Sequence, residues 1–74
     1  MKLKIRLDTQ TEATRLVGLA TSLTERVTLT DGTGMVVSAK SMLGAIYAAF
    51  DFTEVWLETE NEHYYLFKDF VVEE

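Results

Sequence analysis

The chain contains no cysteine and one histidine, His63. Without thiols it has neither disulfide staples nor thiolate metal sites, and a lone imidazole leaves no histidine pair to hold a transition metal. Stability must therefore come from packing, and no cofactor or metal is expected. No apolar run approaches the roughly 20 residues needed to cross a bilayer. The opening MKLKIRLDT interleaves charged and aliphatic residues and does not form the apolar core of a signal peptide. An intracellular, cytoplasmic protein is expected. Positive charge is also scarce: seven basic residues face twelve acidic ones, for a net charge of -5. That balance opposes non-specific attraction to nucleic acid or anionic lipid, so neither is an expected partner. Glu54, Glu58, Glu60 and Glu62 load the later part of the chain and read as a solvated surface. With 74 residues, 47% of them hydrophobic, the chain can bury one small core, and residues 1–74 read as a single domain without repeats, linkers or low-complexity segments.

What is present is pattern. In KLKIRL, residues 2–7, Leu3, Ile5 and Leu7 alternate with Lys2, Lys4 and Arg6, the period of a strand with one buried and one wet face. In DTQTEATRLVGLATSL the period changes: Ala13, Leu16, Val17, Ala20 and Leu23 share one helical face, and Thr9 with Glu12 three residues on matches a capping box. Gly18 costs this helix roughly 1 kcal/mol against alanine, which suits either a close approach to the sheet or a tolerated defect. RVTLTDGTGMVVSA reads as a hairpin in which Asp31-Gly32 turns the chain and Met35 to Ala39 form the second arm. Gly32 and Gly34 lie between strands and not before a helix, which argues against a phosphate-cradling loop.

Ser41 is placed to cap a helix over Met42 to Phe50. FTEVWLETEN then reads as a fourth strand, with Val55 and Leu57 inward and Glu54, Trp56 and Glu58 on the other face. If that strand is central, Trp56 falls beside Lys4 or Arg6 and near Thr28. The tail EHYYLFKDFVVEE is read as helix, because Tyr64, Phe67, Phe70 and Val71 have helical spacing and Asn61 is able to cap. Its Tyr, Phe and Val content also suits a strand.

The order strand, helix, strand, strand, helix, strand, helix is one that small α/β (α+β) open-faced sandwiches use. At VVSAKSMLGAI the chain resembles HPr, the histidine-containing phosphocarrier of the bacterial sugar phosphotransferase system. There, a Lys-Ser followed by two hydrophobics and a glycine joins the third strand to the second helix as a regulatory serine motif. The resemblance extends over most of the chain, since ATRLVGLATSL, the Val27 hairpin and FTEVWLETEN occur in the same order. It implies a four-stranded antiparallel sheet, ordered first, fourth, second, third, with two to three helices on one face. It also implies Ser41 as a regulatory phosphorylation candidate and Lys40, Met42, Leu43 and Ile46 as partner-docking candidates. From the residues alone, Ser41 is an ordinary N-cap, and Met42 and Leu43 equally fit as lids on the core.

One segment departs from the family. HPr carries its phosphoryl acceptor in a Gly-Ile-His-Ala-Arg-Pro type segment at the start of the first helix, whereas this chain has LDTQTEATRL, with no histidine, no proline and a shorter loop. In this degenerate acceptor segment Thr9, Gln10 and Thr11 offer only hydroxyl and amide groups, Glu12 repels phosphate, and Arg15 lies about a turn inside. His63 follows the far end of the fourth strand, about 20 Å away at roughly 3.3 Å per residue, and reads as an exposed residue near a helix start. Acid/base or nucleophilic catalysis has no support, because the carboxylates show no pairing and Ser22, Ser38 and Ser41 have no nearby histidine. The chain is not expected to be an enzyme. The preferred reading is a non-catalytic HPr-like module that binds a protein partner or serves regulation. The alternatives are an atypical phosphocarrier, or a homo-oligomeric structural module if the aromatic tail Tyr64, Tyr65, Phe67 and Phe70 buries against another copy.

Overall fold

Alternating side chains sort themselves onto the two faces of a sheet, and the computed structural model, which describes residues 1–72, carries that sorting through four strands. The elements are β1 (Lys2–Ile5), α1 (Gln10–Thr21), β2 (Val27–Thr30), β3 (Val36–Ser38), α2 (Met42–Asp51), β4 (Val55–Thr59), α3 (Tyr64–Phe67) and a closing 3-10 turn, Lys68–Phe70. The strands form one antiparallel sheet in the order β1-β4-β2-β3. This is the expected order in a small α+β fold with three α-helices.

The register explains which face is buried. Leu57 of the central β4 stands opposite Leu3 of β1 and Leu29 of β2, and Val55 stands opposite Ile5. Ile5, Val27, Leu29, Val55 and Leu57 join Ala13, Leu16 and Ala20 of α1, Ala45 and Ala48 of α2, and Phe67 and Phe70 in one buried cluster. All the helices therefore cover the same sheet face. The other face carries Lys2, Lys4, Trp56, Glu58 and Thr28 and remains open.

The chain covers the β1 edge with its tail and leaves most of the β3 edge open. Ala39 donates its amide to the Val27 carbonyl, and Asp31 donates to Met35. Odd-numbered residues of β3 thus face β2, while Val36 and Ser38 face outward. The Ser38 carbonyl accepts from the Ser41 amide at 3.2 Å, where the chain turns into α2. At the opposite edge, the Arg6 amide donates to Phe70 and the Val72 amide to Lys4, and Ile5 bridges Val71. This cover removes at the β1 side the free edge that would template pairing with another chain, while β3 limits its own edge by being only three residues long.

The tail therefore combines both readings of its composition. Helix holds for Tyr64–Phe67 and, in tighter form, for Lys68–Phe70, but Val71 departs from helical spacing to pair beside β1. Its last two residues, 73–74, lie outside the described residues. Asn61 does not cap α3. The N-cap position is His63, and the Asn61 side chain turns to Glu25. β1 is shorter than the expected 2–7, because beyond Ile5 the backbone of Arg6 bonds the tail.

Of the two readings open for Gly18, the tolerated defect holds, and the close approach falls to another glycine. Gly18 makes no close approach to the sheet: it is exposed, and a methyl group there would meet nothing within 4 Å. Gly44, in the first turn of α2, is the crowded one, since a Cβ would lie 2.8 Å from the Ser38 carbonyl oxygen and 3.3 Å from Val37 Cβ. The short glycine lets α2 lie directly on the end of β3. Gly18→Ala is expected to stabilise the protein by about 0.5–1 kcal/mol through helix propensity. Gly44→Ala is expected to destabilise it by roughly 1–3 kcal/mol, because the obstructing atom is backbone. Urea denaturation of the two variants measures both signs.

Candidate functional site

The start of α1, where the resemblance places a phosphoryl acceptor, is closed by its own side chains. Thr9 takes the extended N-cap conformation, and its Oγ1 accepts from the Glu12 amide at 3.1 Å. Glu12 Oε1 accepts from the Asp8 amide at 2.9 Å, one residue before the cap, a shifted form of the reciprocal pattern anticipated from TQTE. A carboxylate thus stands at the positive end of the helix dipole, where an anion would otherwise be favoured. Gln10 contributes only its backbone carbonyl, which accepts from the Thr14 hydroxyl at 2.9 Å, and Thr11 is exposed. Arg15 turns the other way, 3.8 Å from Asp69 and over the Phe70 ring.

The start of α2 is built differently. Ser41 is its N-cap, with Oγ accepting from the Gly44 amide at 3.2 Å, and no acidic residue lies in the first turn. Lys40 sends its ammonium inward, donating to the Leu23 carbonyl at 2.6 Å. That bond ties the entry of α2 to the loop after α1 and commits the lysine charge to a structural role. Met42 leans towards α1, its sulfur 3.7 Å from the Thr14 hydroxyl, and Ile46 packs partly against the core. Leu43, 82% exposed, projects fully into solvent.

Leu43 is joined by two residues that the sequence reading passed over. Tyr47 is 43% exposed and Phe50 63% exposed. With Leu43 they fall at i, i+4 and i+7, one stripe of a helix. A signal for them existed in MLGAIYAAFD. Its small residues Ala45 and Ala48 face the core, so its large ones are left to the outside. Apolar content alone hides that inversion of size.

His63 is not the exposed residue expected. It is half-buried, and its Nε2 bonds Glu25 Oε1, on the loop between α1 and β2. Glu25 Oε2 accepts from the amides of Glu60 and Asn61, each at 2.9 Å, and from the Asn61 side chain. The imidazole thus belongs to a clasp holding the β4–α3 loop against the far end of α1. Thr9 to Thr11 lie at the other end of this 12-residue helix, about 18 Å along its axis.

On the open face, Trp56 stands opposite Lys4 and Thr30. The ammonium groups of Lys2 and Lys4 lie 5.4 and 5.9 Å from its ring centroid, worth about 0.5–1 kcal/mol each at an exposed site. Lys2 takes the place expected for Arg6, which instead reaches towards Asp8, and Thr28 stands opposite Glu58 and not Trp56. A cleft of about 410 Å³ opens beside Ile5, Leu7, Ala49 and Phe52, but its bases Lys4 and Arg6 are matched by Glu54 and Asp8. Among the described residues no cluster of acidic residues, histidine or cysteine could hold a metal ion, and no helix is long and apolar enough to cross a membrane. Comparison with protein families, with curated proteins and with solved structures returns no match.

The clasp has a pH signature. The His63 hydrogen bond, followed by the donors from Asn61 and Glu60, holds the Glu25 carboxyl below its ordinary value against the opposing effect of desolvation. A depressed folded-state pKa contributes stability above the unfolded value that is lost as pH falls through the folded one. Glu25→Gln should therefore be less stable than the unmodified protein at pH 7, and the difference should narrow on acidification below about pH 4.5. Denaturation midpoints across that range provide the check.

Proposed function

We propose that this chain is a non-catalytic, HPr-like regulatory or protein-binding module, related to the phosphocarrier of the bacterial phosphotransferase system and working in the bacterial cytoplasm without a cofactor. The observation that carries this reading is the contrast between the two helix starts on one scaffold. The serine-capped start of α2 retains the Lys40-Ser41 motif and leads into exposed Leu43. The start of α1 contains no histidine and holds the Glu12 carboxylate where phosphate would have to sit. The sheet order β1-β4-β2-β3 supports the same reading.

Docking brings groups together, but phosphoryl transfer also needs a nucleophile held in line with the attacked phosphorus. Thr9, Gln10 and Thr11 supply no imidazole, and the one imidazole is clasped by Glu25 at the other end of α1. Ser41 remains a candidate for regulatory phosphorylation, with its hydroxyl at a helix start free of acidic neighbours in the first turn. A homo-oligomer formed through the aromatic tail has less to recommend it. Phe67 and Phe70 are spent in the chain's own core, and Tyr65 alone of the four aromatics is largely exposed.

Mixed with phosphoenolpyruvate and the enzyme that loads HPr, the protein is expected to gain no phosphate by intact-mass measurement. Phosphoenolpyruvate-dependent addition of one phosphate, lost in a folded His63→Ala variant, would overturn this reading and restore the phosphocarrier. Phosphate added by an ATP-dependent kinase and lost in Ser41→Ala would leave the non-catalytic reading in place and assign the serine a regulatory use.

A further inference from the structure

The outward stripe of α2 differs from the rest of the surface in both size and charge. Leu43, Tyr47 and Phe50 are exposed by 82%, 43% and 63%. At roughly 200 Å² for each large side chain, they present on the order of 400 Å² of accessible surface. That is the size of the apolar patches which, on monomers, are often functional. It is about half of the ~800 Å² each partner contributes to a standard interface, and homodimer interfaces are larger and more apolar still. A second copy would also bring its own net charge of -5. The patch is therefore poorly matched to a permanent dimer and better matched to a transient partner whose polar rim supplies the remaining contact.

Charge indicates the nature of that rim. No base occurs in α2, and its last turn has no basic residue. Asp51, exposed beside Phe50, ends the helix, where the dipole is already negative. Among the described residues it has no ion-pair partner, whereas nearby Glu54 is answered by Lys4. The end of the stripe thus carries a carboxylate that no ion pair among the described residues answers, since the bases of the neighbouring cleft, Lys4 and Arg6, are taken up by Glu54 and Asp8.

We propose that the Leu43, Tyr47 and Phe50 stripe docks an amphipathic helical segment of another protein, one whose apolar face lies along α2 and whose Lys or Arg rim meets Asp51 and the C-terminal end of the helix. This rests on the binding-module reading and adds to it the partner's chemistry and the helix face it covers. An i, i+4, i+7 row is the natural ridge for a second helix, with apolar contact giving affinity and opposite charge fixing direction.

The test uses the full chain and three fluorescein-labelled peptides of one leucine pattern at helical spacing, carrying Lys, Gln or Glu on the polar face, read by fluorescence anisotropy. The Lys peptide is expected to bind, and its affinity to fall at least about tenfold between low and high salt. The double variant Leu43→Ser with Phe50→Ser should weaken it about tenfold or more. Asp51→Asn should weaken it severalfold and flatten the salt dependence, while Glu58→Gln on the open sheet face should leave it unchanged. Melting temperatures confirm that the variants are folded. Undiminished binding in the folded double variant would overturn the proposal, as would a chain that sediments as a dimer through this stripe. Gln or Glu peptides that dock on the stripe as well as the Lys peptide would remove the cationic partner but leave the binding module standing. If no peptide binds, the proposal falls, while the phosphoenolpyruvate experiment still decides the non-catalytic reading independently.

Discussion

The register of β4 is the constraint on which the rest of the structure depends. This strand comes late in the chain yet lies between β1 and β2, so Leu57 must face Leu3 on one side and Leu29 on the other at once. A slip of one residue against either neighbour would turn Trp56 and Glu58 towards the helices and send Leu57 to solvent. Because the apolar alternation of three strands agrees, one face is apolar but for Thr59 at its end, whose hydroxyl donates to the Asn61 carbonyl. α1 and α2 can then lie side by side on it, with alanines at Ala13, Ala20, Ala45 and Ala48 permitting a thin, close-packed layer. The close approach of Gly44 to Ser38 and the clasp between Glu25 and His63 lock the loops around that layer.

Much of this was legible in local pattern. Leu3, Ile5, Val27, Leu29, Val55 and Leu57 announced the strands by alternation, and Thr9 with Glu12 and Ser41 announced the helix starts, because each of these signals acts within a few residues. The sheet order followed from the resemblance more than from periodicity, which does not say which strands are neighbours. What escaped reading was set by distant contacts. The Glu25–His63 pair spans the chain between two loops, and the pairing of Val71 with Ile5 brings the tail to the first strand. No spacing in the sequence encodes either. The roles of Gly18 and Gly44 were likewise decided by what lies across from each backbone, which propensity does not contain.

The candidate site shows the same division. Ser41 caps its helix as expected, since a cap is a local feature, whereas the exposure of Leu43, open between docking residue and core lid in the sequence, is settled only by the packing of α2. Lys40 and Ile46 were less available than the motif implied: one donates to a carbonyl 17 residues earlier in the chain, and the other packs against the core. Tyr47 and Phe50 were overlooked because an apolar helix usually turns its large residues inward, and here the alanines take that side. The two helix starts differ in what occupies them. α1 is sealed by a carboxylate of its own first turn, whereas α2 begins with a neutral cap and presents an unpaired apolar stripe.

The central claim is that Glu12 and Thr9 leave no room for phosphate at the start of α1. The most direct measurement is an amide-resolved NMR titration of the protein with inorganic phosphate, following residues Asp8 to Glu12. The Asp8 and Glu12 amides are already committed to Glu12 and Thr9, and the Glu12 carboxylate repels an anion approaching the remaining amides of this turn, so no saturable shift is expected there at any concentration that leaves the fold intact. Saturable shifts confined to Asp8 to Glu12 would contradict the account, because they would mean that the start of α1 accepts an anion despite the Glu12 carboxylate.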